Sequence, residues 1–320
     1  MYDVITLGEA MYRLTPPGFQ RIAQAASFNI EIGGSEANTA VGLAQLGLQT
    51  AWLSRLTDNP LGRRITQTLQ GYGVDTAHVV WTDADRVGLY FLEEAPPPRN
   101  NQVTYDRAGS AMSRMTVADL PRDLFTAGGA RLLHLTGITA ALSQSAYQVV
   151  SQAMTWAKEA GWRITFDINY RSKLWPPDVA VERCEPLAQM ADVILLPLRD
   201  AQNLYQSPAD PDAALVHLGR RWSHAQLVLT LGADGAVALG KSSEMVKQAA
   251  FPATPVGRIG GGDAFTAGFL YGWLAEDDLS AGLRWGAALA ALKYTLPGDL
   301  PVITRQAVLA LIEQSQVGWR

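Results

Sequence analysis

The sequence predicts an α/β fold: a doubly wound, mainly parallel sheet that carries a small β-sheet lid. Three observations predict it. Apolar runs of strand length recur between turn residues, at Val4–Leu7, Ala51–Leu53, Leu132–Leu135, Ile164–Asp167, Val193–Leu196 and Leu227–Leu231. Stretches with helical spacing, such as Ser145–Ala160 and Asp210–Trp222, lie between the later runs. Continuous apolar strands alternating with helices indicate a parallel sheet covered on both faces. Third, two segments break this rhythm.

The first of them, Tyr12–Ile32, holds Pro16, Pro17 and Gly18 and then the alternating run Ser27–Ile32. The second, Arg86–Asp106, places Pro96–Pro98 between two strand-like runs, so Pro96–Asn101 reads as a hairpin loop. Both segments are expected as antiparallel pieces outside the main sheet, and a small lid is their natural arrangement. In parallel sheets ligands bind at the carboxyl ends of the strands. Polar residues directly after a strand are therefore the first places to look for chemistry.

Composition narrows the function classes. The 320 residues are 48% apolar and 18% charged, ordinary for a folded globular protein. Lys plus Arg is 26 and Asp plus Glu is 30, a net charge of −4. That balance argues against a nucleic-acid-binding face over the whole protein. The single cysteine, Cys184, excludes an intrachain disulfide and reads as a buried structural thiol. No run reaches the roughly 18 uninterrupted apolar residues of a membrane span. The N-terminus reads as a first strand, not a signal peptide, so a cytoplasmic location and no membrane partner are expected.

Four segments could carry chemistry. In Val256–Glu276, three glycines, Gly260, Gly261 and Gly262, precede Asp263 and a strongly apolar helix. A glycine run entering a helix leaves backbone N–H groups free to face one anion. Asp263 could cap the helix, or it could take a proton from a hydroxyl that attacks a phosphoryl group held by those amides. In Ile32–Leu48, Gly33 and Gly34 follow a strand, and Asn38 is expected to open a helix. These glycines suit close approach to a ligand or merely a tight strand-to-helix turn. The G-x-G-x-x-G dinucleotide spacing is absent.

The third segment is Ile164–Trp175, where Asn169, Tyr170 and Arg171 follow the strand end at Asp167. Arg171 could clamp a carboxylate or phosphate, or could pair with a local acid. The fourth is Tyr105–Ala111, with Tyr105 and Arg107 on one face of a lid strand or of an amphipathic edge strand. His78, His134, His217 and His224 show no metal-ligand spacing, and His134 reads as a core residue. Trp273 and Trp285 fall in apolar helices and read as core, and no G-x-S-x-G elbow is present.

In this order the segments resemble the ribokinase-like (phosphofructokinase-B) carbohydrate kinase family, over nearly the whole chain. YDRAGSA, LHLTGIT and DINYRSKLW make them look most like its 2-keto-3-deoxygluconate kinases. The resemblance implies one kinase domain, 1–320, with lid segments inserted near 12–32 and 86–110. It implies ATP and Mg2+, with Asp263 as the base and the amides of Gly260, Gly261 and Gly262 as the anion hole. Gly34, Asn38, Tyr90, Tyr105, Arg107 and Ile138 would line the sugar site, Arg171 would bind a sugar acid's carboxylate, and Asp299 would hold the distal end of the sugar. Leu231, Gly232, Asp234 and Gly235 resemble the loop beside the nucleotide, with Asn169 also on the cofactor side. The lid of such kinases often pairs between subunits, so a homo-oligomer is expected.

The chain departs from the family pattern at three places. Gly257 stands where the family usually has Asp, in a region that helps bind a monovalent cation in many members, so cation activation is left open. The Asn-x-x-Glu element falls on Pro197–Asp200, which leaves Asp200 as the metal candidate with a carboxylate one methylene shorter. An early family glycine is Thr57. The expected activity is phosphorylation of a keto-deoxy sugar acid, 2-keto-3-deoxygluconate or its galactonate epimer. A kinase of a neutral sugar, and a non-catalytic sugar- or nucleotide-binding protein on the same fold, stand as alternatives.

Overall fold

The structure, a computed structural model, describes residues 1–257 and 259–317. In chain order the first strands are β1 (Tyr2–Leu7), β2 (Met11–Thr15), β3 (Asn29–Gly33), β4 (Thr50–Leu53), β5 (Arg55–Thr57), β6 (Val74–Asp75), β7 (Val80–Thr82) and β8 (Leu89–Glu93). There follow β9 (Gln102–Asp106), β10 (Ala130–Thr136), β11 (Arg163–Asp167), β12 (Val193–Pro197), β13 (Gln226–Thr230), β14 (Ala236–Leu239) and β15 (Met245–Gln248).

The main sheet has nine strands in the order β15-β14-β13-β12-β11-β10-β1-β4-β6. From β6 to β13 every pairing is parallel, and β14 and β15 add an antiparallel edge. Alternation along each strand feeds two cores. Ile5, Leu7, Leu133, Leu135, Ile194, Leu196, Leu227 and Leu229 point to one face. Val4, Leu132, Val193, Leu195 and Val228 point to the other. Burying each such side chain contributes on the order of 2 kcal/mol, so a one-residue register slip would be heavily penalised.

On the second face the helix Gly261–Glu276 packs against Leu279–Tyr294. A Cβ on Gly268 would lie 2.4 Å from the Trp285 carbonyl oxygen. The missing side chain thus lets the two helix backbones approach closely. Trp273 and Trp285 are buried in this layer as expected. His134 is fully enclosed in β10, its Nδ1 3.0 Å from Thr165 Oγ1. Cys184 is buried, and its surroundings push the thiol up to about 12, as a structural cysteine requires. Among the described residues no helix is long and apolar enough to cross a membrane.

A separate four-stranded sheet, β3-β2-β8-β9, covers the site. Its β2–β3 and β8–β9 pairs are antiparallel, but β2 and β8 run parallel. The expectation of purely antiparallel pieces is corrected here. Each segment contributes its own hairpin, but β2 and β8 are joined through strands of the core rather than by a turn, so no hairpin dictates their direction.

Candidate active site

The strand order reverses between β1 and β10, the switch point at which open α/β sheets bind ligands. A cavity of about 490 Å³ opens there, beneath the lid sheet. It is lined by Glu9 after β1, Ile138 after β10, Asp167, Asn169 and Arg171 at the end of β11, and Tyr90, Tyr105 and Arg107 from the lid. Gly34, Ser35, Asn38, Arg199, Gly260, Gly262, Asp263 and Asp299 are also in its wall.

Asp263 is the third residue of its helix, and Gly260 is the N-cap. The carboxylate therefore does not cap the helix. Instead Oδ1 accepts a hydrogen bond from Ser35 Oγ and Oδ2 accepts one from Asn38 Nδ2, each at 2.6 Å. Burial pushes its carboxyl up, while Ser35, Asn38 and the positive charges of Arg171 and Lys293 pull it back. Donors on both oxygens favour the charged form that a base needs. Each carboxylate oxygen has a second acceptor position, so a substrate hydroxyl can still be received.

The helix carrying these two donors spans Ser35–Gln45, with Gly34 as its N-cap. It opens at Ser35, one turn before the expected Asn38, because Asn38 is committed to Asp263 and to the Gly34 amide, which donates to Oδ1 at 3.2 Å. A Cβ on Gly34 would lie 2.0 Å from the Glu9 carbonyl oxygen, so close backbone approach alone demands glycine here.

The three glycines beside Asp263 divide by cause. Gly260 has φ 78°, and a Cβ on it would meet the Asp299 carbonyl oxygen at 2.1 Å. Gly261 abuts the Tyr294 ring. Gly262 is exposed, and a Cβ there would meet no atom of the described residues within 4 Å. Packing therefore explains Gly260 and Gly261 and leaves Gly262 unexplained, while helix-start amides at this place can receive an anion.

Beside the lid the cavity carries a network of buried charges. Asp299 accepts from the Tyr90 hydroxyl, and its Oδ2 lies 3.0 Å from Arg13 Nη1. Burial raises its carboxyl to about 6 against the pull of Arg13 and Tyr90. Arg107 donates from Nε to Glu9 Oε2 at 2.8 Å, and so is already paired. Arg171 is exposed and has no ion pair among the described residues. Of the two expected cations, Arg171 is the one free to receive an anion.

Asn169 donates from Nδ2 to Ser35 Oγ at 3.1 Å and to Asp167 Oδ2 at 3.2 Å, and holds a positive φ of 41°. Asp167 is pushed up to about 8 by burial and by the charge of Asp263. Gly232, Gly235, Gly261 and Gly262 line a second, smaller cavity of about 100 Å³ with apolar walls including Phe251 and Phe265. Gly262 borders both spaces. Leu231 and Asp234 line neither. Asp200 lies outside the main cavity, in an adjoining recess with Arg171, Lys173 and Arg199. It is buried, its Oδ1 is 3.3 Å from Arg199 Nε, and its Oδ2 has no hydrogen-bond partner among the described residues.

Sequence reasoning missed Ser35, Glu9, Arg13 and Asp167. Ser35 begins a helix and would ordinarily read as part of a cap. Its role is visible only once Asp263, 228 residues away, is beside it. Asp167 could have been found as the polar residue that ends an apolar strand.

A profile of the pfkB family carbohydrate kinases matches residues 1–303. The 2-dehydro-3-deoxygalactonokinase of Haloferax volcanii is 37% identical over 316 residues, which is 99% of this chain and 98% of that protein. The 2-dehydro-3-deoxygluconokinase of Bacillus subtilis is 30% identical over 315 residues, 98% of this chain and 96% of its own. The crystal structure of 2-dehydro-3-deoxygluconokinase from Thermotoga maritima superimposes with a TM-score of 0.91 at 30% identity, covering 98% of each chain.

Proposed function

The chain belongs to the pfkB family of carbohydrate kinases, and from that premise we propose that it transfers the γ-phosphoryl group of ATP to a hydroxyl of a keto-deoxy sugar acid of the 2-keto-3-deoxygluconate or galactonate type. One observation carries the substrate class. Arg171, exposed and without an ion pair among the described residues, lines the same cavity as Asp263. Charge-assisted contacts to a carboxylate are the stronger kind of hydrogen bond, and a neutral sugar would leave this cation unused. The relatives from Haloferax volcanii and Bacillus subtilis, named as kinases of such sugar acids, support this reading.

The chemistry follows from the residues. A sugar hydroxyl is a poor nucleophile at neutral pH. Asp263 takes its proton while the oxygen attacks the γ-phosphorus, and ADP departs with the bridging oxygen. Amides at the helix start, opened by Gly260 and Gly262, stabilise the charge on the group in flight. Tyr90, Tyr105 and the lid sheet exclude water, which limits wasteful ATP hydrolysis. The apolar cavity beside Gly232 and Gly235 is the place for the base of the nucleotide, on the far side of Gly262 from the sugar.

The residues present fit Mg2+. Asp200 offers a buried, unpartnered carboxylate oxygen, and Asp167 is a carboxyl whose burial and acidic neighbour raise the demand for a cation. Hard oxygen donors of this kind suit magnesium, which would neutralise phosphate charge. We extend the reading to association through the lid sheet, whose edge strands β3 and β9 each pair on one side only among the described residues, with Ile30 of β3 exposed. Light scattering on the purified protein tests that extension.

The activity is tested by ADP release with Mg-ATP over 2-keto-3-deoxygluconate, its galactonate epimer, fructose, ribose and no sugar. Turnover with the sugar acids alone is expected. Turnover confined to a neutral sugar would keep the kinase and overturn the substrate class.

A further inference from the structure

Asp299 is a buried acid in the wall of the cavity, and its ion-pair partner is an arginine from the lid. Arg13 sits in the middle of β2, in register with Glu31 of β3 on one side and Tyr90 of β8 on the other. Cross-strand neighbours share a face, so Glu31, Arg13 and Tyr90 present one row toward the core. The Arg13 side chain is 6% exposed and does not line the cavity. Its ion-pair partner among the described residues is Asp299, at 3.0 Å.

Asp299 is held from the core as well. A Cβ on Gly33 would lie 2.6 Å from its Oδ1, so the carboxyl fills the space that glycine leaves. Lys293, fully buried, donates to the carbonyl oxygens of Leu296 at 3.2 Å and Gly298 at 2.9 Å, and so fixes the loop before it. The Asp299 backbone rests on Gly260, at the start of the helix that carries Asp263. The charged or titratable groups around Asp299 are therefore Arg13 from β2, Tyr90 from β8, Lys293 from the preceding helix and, further off, Asp263; Glu31 borders Gly298.

We propose that Arg13 is a positioning residue of the reaction: it keeps Asp299 ionised and aimed at the sugar, and it ties the lid sheet to the loop against which the helix of Asp263 begins. A buried carboxylate without a partner protonates rather than remain charged. Burial already raises Asp299 to about 6, with Arg13 the first of the groups opposing it. Without Arg13 the acid would hold its proton to higher pH and would be a weaker acceptor of a sugar hydroxyl, although no atom that touches the sugar had been changed. The inference rests on the sugar-kinase reading for its kinetic consequence, but not for the titration itself.

Two measurements test it on the full-length protein. The first is the pH profile of kcat/KM for the sugar acid in wild type, Arg13→Met and Arg13→Lys. Arg13→Met should move the acid limb upward by one unit or more and raise the sugar KM about tenfold at neutral pH, most of it recovered at higher pH, with the ATP KM unchanged. Arg13→Lys, which restores a positive charge, should bring the limb most of the way back. A loss in Arg13→Met that is constant across pH, or a limb that does not move, would overturn the proposal in favour of plain packing. The second measurement is carbon NMR of aspartate-labelled protein without substrate, the Asp299 signal identified by its absence in Asp299→Asn. Its titration should shift upward in Arg13→Met. An unshifted titration overturns the proposal whatever the sugar proves to be, whereas a wild type inactive on sugar acids overturns only the substrate reading.

Discussion

Asn38 and Asp263, 225 residues apart in the chain, meet in a 2.6 Å hydrogen bond from Nδ2 to Oδ2. With Ser35 on the other oxygen, both carboxylate oxygens are held by donors from the helix Ser35–Gln45. Gly33 and Gly34, at the start of that helix, line the same cavity as Asp263. The segment that orients the proposed base thus also borders the proposed sugar site.

From this arrangement follows a first expectation. Asp263→Asn keeps the shape and can still accept from Ser35, but cannot take a proton. Turnover should fall by about 10² to 10⁴, the range for a lost general base, while sugar affinity by calorimetry stays close to wild type. Near-normal turnover would mean that another group accepts the proton.

The glycine run separates structural need from ligand need. Gly260→Ala should cost about 1 to 3 kcal/mol, the scale for a strained left-handed residue, because φ is 78° and the Asp299 carbonyl blocks the new methyl. Gly262→Ala meets no atom of the described residues within 4 Å, and alanine in a helix is favoured over glycine by roughly 0.5 to 1 kcal/mol. It should therefore melt no lower than wild type while kcat falls, up to about 10²-fold, as expected when a reacting group is displaced by roughly 1 Å. Unimpaired kcat in Gly262→Ala would place the transferred phosphoryl group elsewhere.

The carboxylate contact proposed for Arg171 distinguishes an acidic from a neutral sugar. Removing a charge-assisted contact costs about 1.5 kcal/mol at the low end suited to an exposed arginine, close to tenfold in affinity. Arg171→Ala should raise the KM of the sugar acid by that factor and leave any residual use of fructose unchanged. Equal losses on both sugars would remove the carboxylate from the role assigned to this residue.

How much of this was legible in the sequence depends on how local each cause is. The parallel sheet could be read because its strands bury both faces and so appear as unbroken apolar runs. Asp263 and its glycines could be read because helix entry and anion pocket lie within four residues. Ser35 and Arg13 could not, since each acts on a partner more than 200 residues away. Arg107 was visible as a cation, but its neutralisation by Glu9, 98 residues off, was not. The parallel pairing of β2 with β8 was equally hidden, because hairpin logic covers only neighbours in the chain.

Glu36 supplies the last expectation. It is buried at the start of the helix that orients Asp263, and Oε1 accepts from the hydroxyls of Thr136 and Thr139, both at 2.7 Å. Burial pushes its carboxyl up to about 7, above the roughly 4.3 of an unfolded chain. A folded-state value above the unfolded one means that the folded protein holds the extra proton between the two. The contribution of Glu36 to stability is therefore complete below about 4.3 and is lost as pH rises through about 7. The melting temperature of the ligand-free protein should fall between pH 5 and 8, in part through this group. Glu36→Gln, which imitates the neutral acid, should show a shallower fall, and its disadvantage relative to wild type should shrink or reverse at pH 8. Parallel melting curves for the two proteins across that range would show that Glu36 is ionised throughout, with the hydroxyls of Thr136 and Thr139 sufficient to hold a buried charge.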